Sequence, residues 1–147
     1  MLMPNGLMSY RIMKGRQDSK KYINILKECA LPMLALNYGK NFIFQQDNCS
    51  IHISKEAKSF LSSNCIQTLE WPPISPDLNI IENVWSTLSE HCYKNGNPKN
   101  LKELIRKIDD AVSYLNSEKR NYIMTLYKSI PERLCSVLEV HGQRIKY

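Results

Sequence analysis

NFIFQQDNCSIH, residues 41–52, is the stretch on which the reading of this chain turns. Phe42 to Gln46 is short, apolar and aromatic, and it lies between Gly39-Lys40 and the polar Asp47-Asn48. That pattern predicts a strand in the interior of a sheet. Asp47 then stands where the strand stops. A carboxylate in that place either caps the loop that follows or is held out at a sheet edge for chemistry, and the stretch alone leaves both open.

The neighbouring segments extend the pattern in both directions. Downstream, Ser54 is suited to cap a short helix carrying Ala57, Phe60 and Leu61 and ending near Asn64. Ile66 to Trp71 reads as the next strand, after which Pro72, Pro73 and Pro76 forbid regular structure until a helix begins near Asn79. Upstream, Pro4-Asn5-Gly6 predicts a turn and Leu7 to Lys14 a strand. Asp18 or Ser19 then caps a helix whose Tyr22, Ile25, Leu26 and Cys29 share one stripe. Pro32 kinks or restarts that helix, and Gly39 ends it.

Beyond the linker Asn95-Gly96-Asn97-Pro98, a helical stripe runs through Leu101, Leu104, Ile105, Ile108 and Val112. Helices around Tyr122 to Ser129 and Pro131 to Val140 follow, with Gly142 as a C-terminal cap. Strand, helix, strand, helix, strand and then helices only is the order of an α/β domain with a helical tail.

A chain of 147 residues is long enough for one domain with its own core. Its 43% hydrophobic and 23% charged content argues against disorder. The net charge of +6 points to a polyanionic partner, nucleic acid or an anionic membrane surface. No apolar run approaches the ~18 residues a spanning helix needs, and no signal-type segment follows Met1, so a soluble intracellular protein is expected. Cys29, Cys49, Cys65, Cys92 and Cys135 form no C-x-x-C pair and have no His at zinc-finger spacing; buried free thiols are expected. His52, His91 and His141 read as polar or hydrogen-bonded residues, and Trp71 and Trp85 as core. Lys99, Lys102, Arg106 and Lys107 flank the stripe of the helix at 101–112 as a solvated face, with phosphate contact the alternative.

A second stretch, EWPPISPDLNIIENVW at 70–85, gives Asp47 a companion. Glu82 lies one turn into a helix with Ile81, Val84, Trp85 and Leu88 on its apolar face. Its own alternative is structural, since Asn79-Ile80-Ile81-Glu82 is a capping-box pattern. Two carboxylates from a strand end and a neighbouring helix are suited to hard divalent cations, and magnesium favours carboxylate oxygens together with waters and phosphates.

QQDN with a following His, and WP, SPDLN and IEN ahead of Trp85, together resemble the catalytic core of the Tc/mariner transposases, DDE recombinases with a ribonuclease-H-like fold. The 34 residues between Asp47 and Glu82 match the spacing that marks one branch of that superfamily. SKKYINIL before the motif and IPERLCSVLEVHGQRIKY after it extend the likeness over nearly the whole chain from about Asn5.

The resemblance implies a partial ribonuclease-H-like, retroviral-integrase-like sheet flanked by helices. It divides the chain into a C-terminal portion of the catalytic core at 1–94 and a helical tail at 95–147. It also implies cleavage at transposon ends and strand transfer into target DNA in the nucleus, with two Mg²⁺ or Mn²⁺ ions, no membrane, and a homodimer as an allowed assembly. Asp47 matches the family's second catalytic Asp and Glu82 its Glu, both as metal ligands, with Asn48 and His52 in support.

The family's first catalytic Asp has no match here. Asp18, the only Asp before Asp47, falls in a loop ahead of a helix, where the family places no ligand. The helix-turn-helix modules that read transposon ends have no counterpart either. Ile80 stands where the family commonly has Pro, and Cys49-Ser50 where it has Ala-Pro. The expectation is a fragment from a decayed element or a partial gene model, inactive alone. Its rivals are a non-catalytic DNA-binding or protein-interaction remnant, and a chain that does not fold stably by itself.

Overall fold

The computed structural model describes residues 1–38 and 41–146, arranged as two compact units. One unit comprises Arg11–Ile74; the other joins Met1–Tyr10 to Ser75–Tyr147. Helices dominate both: α1 (Ser19–Ile25), α2 (Leu31–Tyr38), α3 (Lys55–Ser63), α4 (Ile81–Tyr93), α5 (Leu101–Ser117), α6 (Arg120–Lys128) and α7 (Ile130–Glu139).

In the 11–74 unit, Asp18 caps α1, its side chain accepting from the Lys21 amide at 2.8 Å. Between α1 and α2 the backbone widens into a π-helical turn, Leu26–Ala30. Pro32 explains it: proline has no N–H to offer, and its ring collides with the carbonyl four residues back, so the preceding turn loosens. Gly39, expected to end this helix, lies outside the described residues. Ser54 caps α3 through the Ala57 amide, and Asn64 closes it, as the sequence predicts. Leu26, Ala30, Leu34, Ala57 and Leu61 are the buried aliphatic side chains described in this unit, and α1 packs on α3.

The other unit has the larger core. Met8, Ile80, Val84, Leu88, Cys92, Ala111, Val112, Leu115, Ile123 and Leu126 form one cluster, with α4 against α5 and α5 against α6. Each large aliphatic side chain fully buried there contributes about 1.5–3 kcal/mol relative to exposure. Asn100 caps α5 by accepting from the Glu103 amide. The buried face of α5 lies further along than its apolar pattern suggests. Leu101 is exposed, whereas Ala111, Val112 and Leu115 are buried. Lys107, expected on a solvated face, is buried and donates through Nζ to the Gly96 carbonyl at 2.5 Å. Gly142, at φ +82°, closes α7 with its amide on the Val137 carbonyl.

The α/β expectation is overturned: among the described residues there is no sheet, and the partial ribonuclease-H-like sheet is not formed. Of the expected strands, 42–46 and 66–71 meet at one parallel bridge, Phe44 with Thr68. The Phe44 amide donates to the Gln67 carbonyl at 2.8 Å and the Leu69 amide to the Phe44 carbonyl at 3.0 Å. Parallel pairing is stable where both faces are covered. Here Ile43 and Leu69 are 57% and 44% exposed, so the ladder gains little from extension, and Pro72-Pro73 ends it.

The third expected strand, Leu7 to Lys14, is divided between the two units after Tyr10. Its first residues turn back over Pro4-Asn5-Gly6 to a single antiparallel bridge, Leu2 with Met8. The Asn116 side chain then occupies both backbone groups of Met8, accepting from its amide at 2.7 Å and donating to its carbonyl at 3.0 Å. A side-chain amide in that position takes the place of a neighbouring strand.

Two burial expectations also fail. Trp85 is exposed and Trp71 half-buried, so neither is a core residue. Of the free cysteines only Cys92 is buried; Cys29 is half-buried, and Cys49, Cys65 and Cys135 are exposed.

Candidate functional site

Asp47 lies in the 11–74 unit, on a loop leaving the Phe44 bridge. Its Oδ1 accepts from the Cys49 amide at 3.1 Å and lies 2.6 Å from Nδ1 of His52. The carboxylate can only accept, so the proton of that short contact belongs to the imidazole Nδ1, leaving Nε2 on the other side of the ring. Burial raises the Asp47 carboxyl, but the Cys49 amide and the His52 ring outweigh it and hold it below the ordinary 3.8. The group is therefore ionised at neutral pH. Its side chain is 58% exposed, and no hydrogen bond from the described residues falls on Oδ2.

The support behind this carboxylate comes from α1 and from the loop itself. The Tyr22 ring packs on His52 with centroids 4.3 Å apart, and the Tyr22 hydroxyl donates to Oε1 of Gln46. Gln46 in turn donates through Nε2 to the His52 carbonyl at 3.2 Å. Burial, and then the charge of Asp47, push the Tyr22 phenol well above its usual value, which keeps the hydroxyl a donor. Asn48 donates to the Trp71 carbonyl at 2.8 Å, tying the loop to the segment after the bridge. The cap reading of Asp47 is thus satisfied by Oδ1 alone.

Glu82 lies in the other unit, in the first turn of α4. Ile80, Val84 and Leu88 bury one face of that turn, and the Glu is exposed on another. The expected capping box is not completed by it. The Asn79 side chain accepts from the Ile81 amide at 3.4 Å, and no hydrogen bond or ion pair from the described residues engages the Glu82 carboxylate. The helix N-terminus favours its negative charge. Glu82 borders an open cavity of about 900 Å³ together with Asp77, Asn83, Ser86, Arg144 and Lys146.

Arg133 organises this region, and the sequence reading missed it. It is 2% exposed on α7, donating from Nη1 to the Asp77 carbonyl at 2.7 Å, from Nη2 to Oδ1 of Asn83 at 2.9 Å and from Nε to Oγ of Ser129 at 3.0 Å. The guanidinium thereby fixes both the SPDLN segment and the residue next to Glu82. The signal available was a lone Arg on an otherwise apolar helical face in IPERL. Asp77 is anchored a second time by the Ile145 amide, at 2.9 Å on Oδ2.

Both predicted site residues are therefore exposed carboxylates with acceptor oxygens to spare, the chemistry a hard divalent cation requires. His52, expected in a supporting role, does hold Asp47. A further set was not anticipated: Asp47, Cys49 and His52 place a carboxylate oxygen, a thiol and a ring nitrogen all within 4.8 Å of one another.

Comparison with known proteins gives a consistent family. Residues 5–105 match the DDE superfamily endonuclease model. The Tc3 transposase of Caenorhabditis elegans is 32% identical over 142 residues, covering 95% of this chain and 42% of the relative. The Tcb1 transposase of Caenorhabditis briggsae is 32% identical, covering 90% and 47%, and the Tc1 transposase of Caenorhabditis elegans 30% identical, covering 93% and 49%. The chain thus spans about half the length of the relatives it matches. Among the described residues no helix is long and apolar enough to cross a membrane.

Proposed function

The chain belongs to the DDE superfamily endonucleases, and from that membership we propose that Asp47 and Glu82 are two of the carboxylates that hold catalytic divalent metal ions, Mg²⁺ or Mn²⁺, for DNA cleavage and strand transfer. The observation that carries this reading is the state of the two acids: each is an exposed carboxylate that keeps oxygens uncommitted to the fold.

When bound, a metal pair activates the attacking water or 3′-hydroxyl and stabilises the leaving oxygen. Asp47 offers Oδ2 while the Cys49 amide and His52 restrain Oδ1, so the carboxylate is oriented before a cation arrives. Glu82, in the other unit, offers an anionic ligand of its own, fixed by the burial of α4 and by Arg133 on its neighbour Asn83. Arg144 and Lys146, on the cavity beside Glu82, are placed to neutralise backbone phosphates of transposon-end or target DNA. The reading places this activity in the nucleus.

A second reading has its own observation. His91, Tyr93, Lys94, Tyr114, Lys119 and Tyr122, with Glu90 among them, border an open cleft of about 720 Å³ that carries both aromatic and basic groups. Such a surface binds nucleic acid by charge and stacking without a metal. DNA binding measured in Mg²⁺ and in chelator separates the two. The metal reading predicts that magnesium strengthens binding and that Asp47→Ala abolishes the gain. Salt-sensitive binding that ignores both magnesium and Asp47→Ala would favour the non-catalytic reading.

A further inference from the structure

We propose that Asp47, Cys49 and His52 form a site for a single thiophilic cation, zinc by its chemistry, with water in the fourth position. Three different donor types, carboxylate O, thiol S and imidazole N, already lie within 4.8 Å of one another. A tetrahedral zinc with Zn–N of ~2.0 Å and Zn–S of ~2.3 Å needs ligand atoms about 3.3–3.7 Å apart, so the 2.6 Å contact between Asp47 and His52 opens and the wider pairs close by side-chain rotation. Cys49 is a free, exposed thiol, and Asp47 is also exposed, so both can rotate and an ion can enter.

The loop is held in this form without an ion. The Cys49 amide bonds Asp47, and the amides of His52 and Ile53 both bond the Cys49 carbonyl, at 2.8 and 3.1 Å. Residues 49 and 52 are thereby brought one turn apart. Tyr22 against the imidazole ring and Gln46 on the His52 carbonyl restrain the histidine from behind.

The donor set also discriminates between metals. Magnesium is bound through oxygen and gains nothing from sulfur, whereas thiolate and imidazole select zinc. Binding releases the Cys49 thiol proton to solvent and forms the metal–sulfur bond; where Nδ1 of His52 takes the cation, the proton it shares with Asp47 is lost from Nδ1 and the neutral ring carries its proton on Nε2, with no change in oxidation state. An ion so held withdraws Asp47 from an oxygen-ligated cation. That consequence rests on the catalytic reading above, but the binding itself does not.

Cobalt(II) titrated into the whole chain under reducing conditions tests the site by spectroscopy. The expected result is saturation at one equivalent, with thiolate-to-cobalt charge-transfer absorption that zinc abolishes on displacing the cobalt. Cys49→Ala should remove that absorption, and His52→Ala should weaken zinc binding at least about 10- to 100-fold, with both variants retaining the parent helical content. Cys65→Ala and Cys135→Ala should change neither. Charge transfer that persists in Cys49→Ala, or the lack of one-equivalent saturation in the folded parent chain, would overturn the proposal.

Discussion

Gly6 shows how tightly one residue can be constrained. It turns the chain at φ +81°, and a Cβ there would stand 2.5 Å from the Arg120 carbonyl oxygen, a backbone atom with little freedom to retreat. Gly6→Ala should cost about 1–3 kcal/mol, read as a lowered urea midpoint. Tyr10 donates to Asp109, and that bond, with burial and the Asp109 charge behind it, raises the phenol from 10.0 to about 12. A raised pKa in the fold means that this contribution is complete below pH 10 and is lost as pH climbs toward 12. Melting temperature against pH should therefore fall less steeply above pH 10 in Tyr10→Phe than in the parent. At this scale the sequence was a partial guide. Asp47 could be singled out from its motif, but the groups that hold it, Tyr22 and Gln46 among them, come together only through tertiary folding.

At the scale of elements, helices were far more legible than strands. Asp18, Ser54 and Gly142 act where their local chemistry indicates, because a cap is satisfied within a few residues of itself. A strand needs partners that its own residues do not specify. Leu7 to Lys14 illustrates this: Asn116, over a hundred residues away, takes both backbone groups of Met8. The stripe of α5 is covered only in part, with Val112 buried, Ile108 packed on the core and Leu101 exposed, since apolar spacing marks a face but packing decides which part of it is covered. Leu115, wholly buried where α5 meets its neighbours, should cost about 2–5 kcal/mol when cut to Ala. Arg133→Met leaves the Asp77 carbonyl and the Asn83 side chain without that donor, a loss of about 1–3 kcal/mol in the chemical denaturation midpoint.

At the scale of the molecule, family and fold were legible to different degrees. The motifs around Asp47 and Glu82 led to the DDE endonucleases, which the match over residues 5–105 bears out. The sheet inferred with them did not form, because the apolar runs at 42–46 and 66–71 have one bridge between them and exposed flanks. Motif residues carry ancestry and chemistry in their identity, whereas a sheet depends on several segments covering one another. Asp47 and Glu82 are proposed to hold divalent metal ions. Calorimetric titration of Mg²⁺ and Mn²⁺ into the zinc-free chain, alongside folded Asp47→Ala and Glu82→Ala variants, tests it most directly. Saturable binding that either substitution weakens and the double substitution abolishes is the predicted result. Heats that are the same in the parent and the double variant would contradict it.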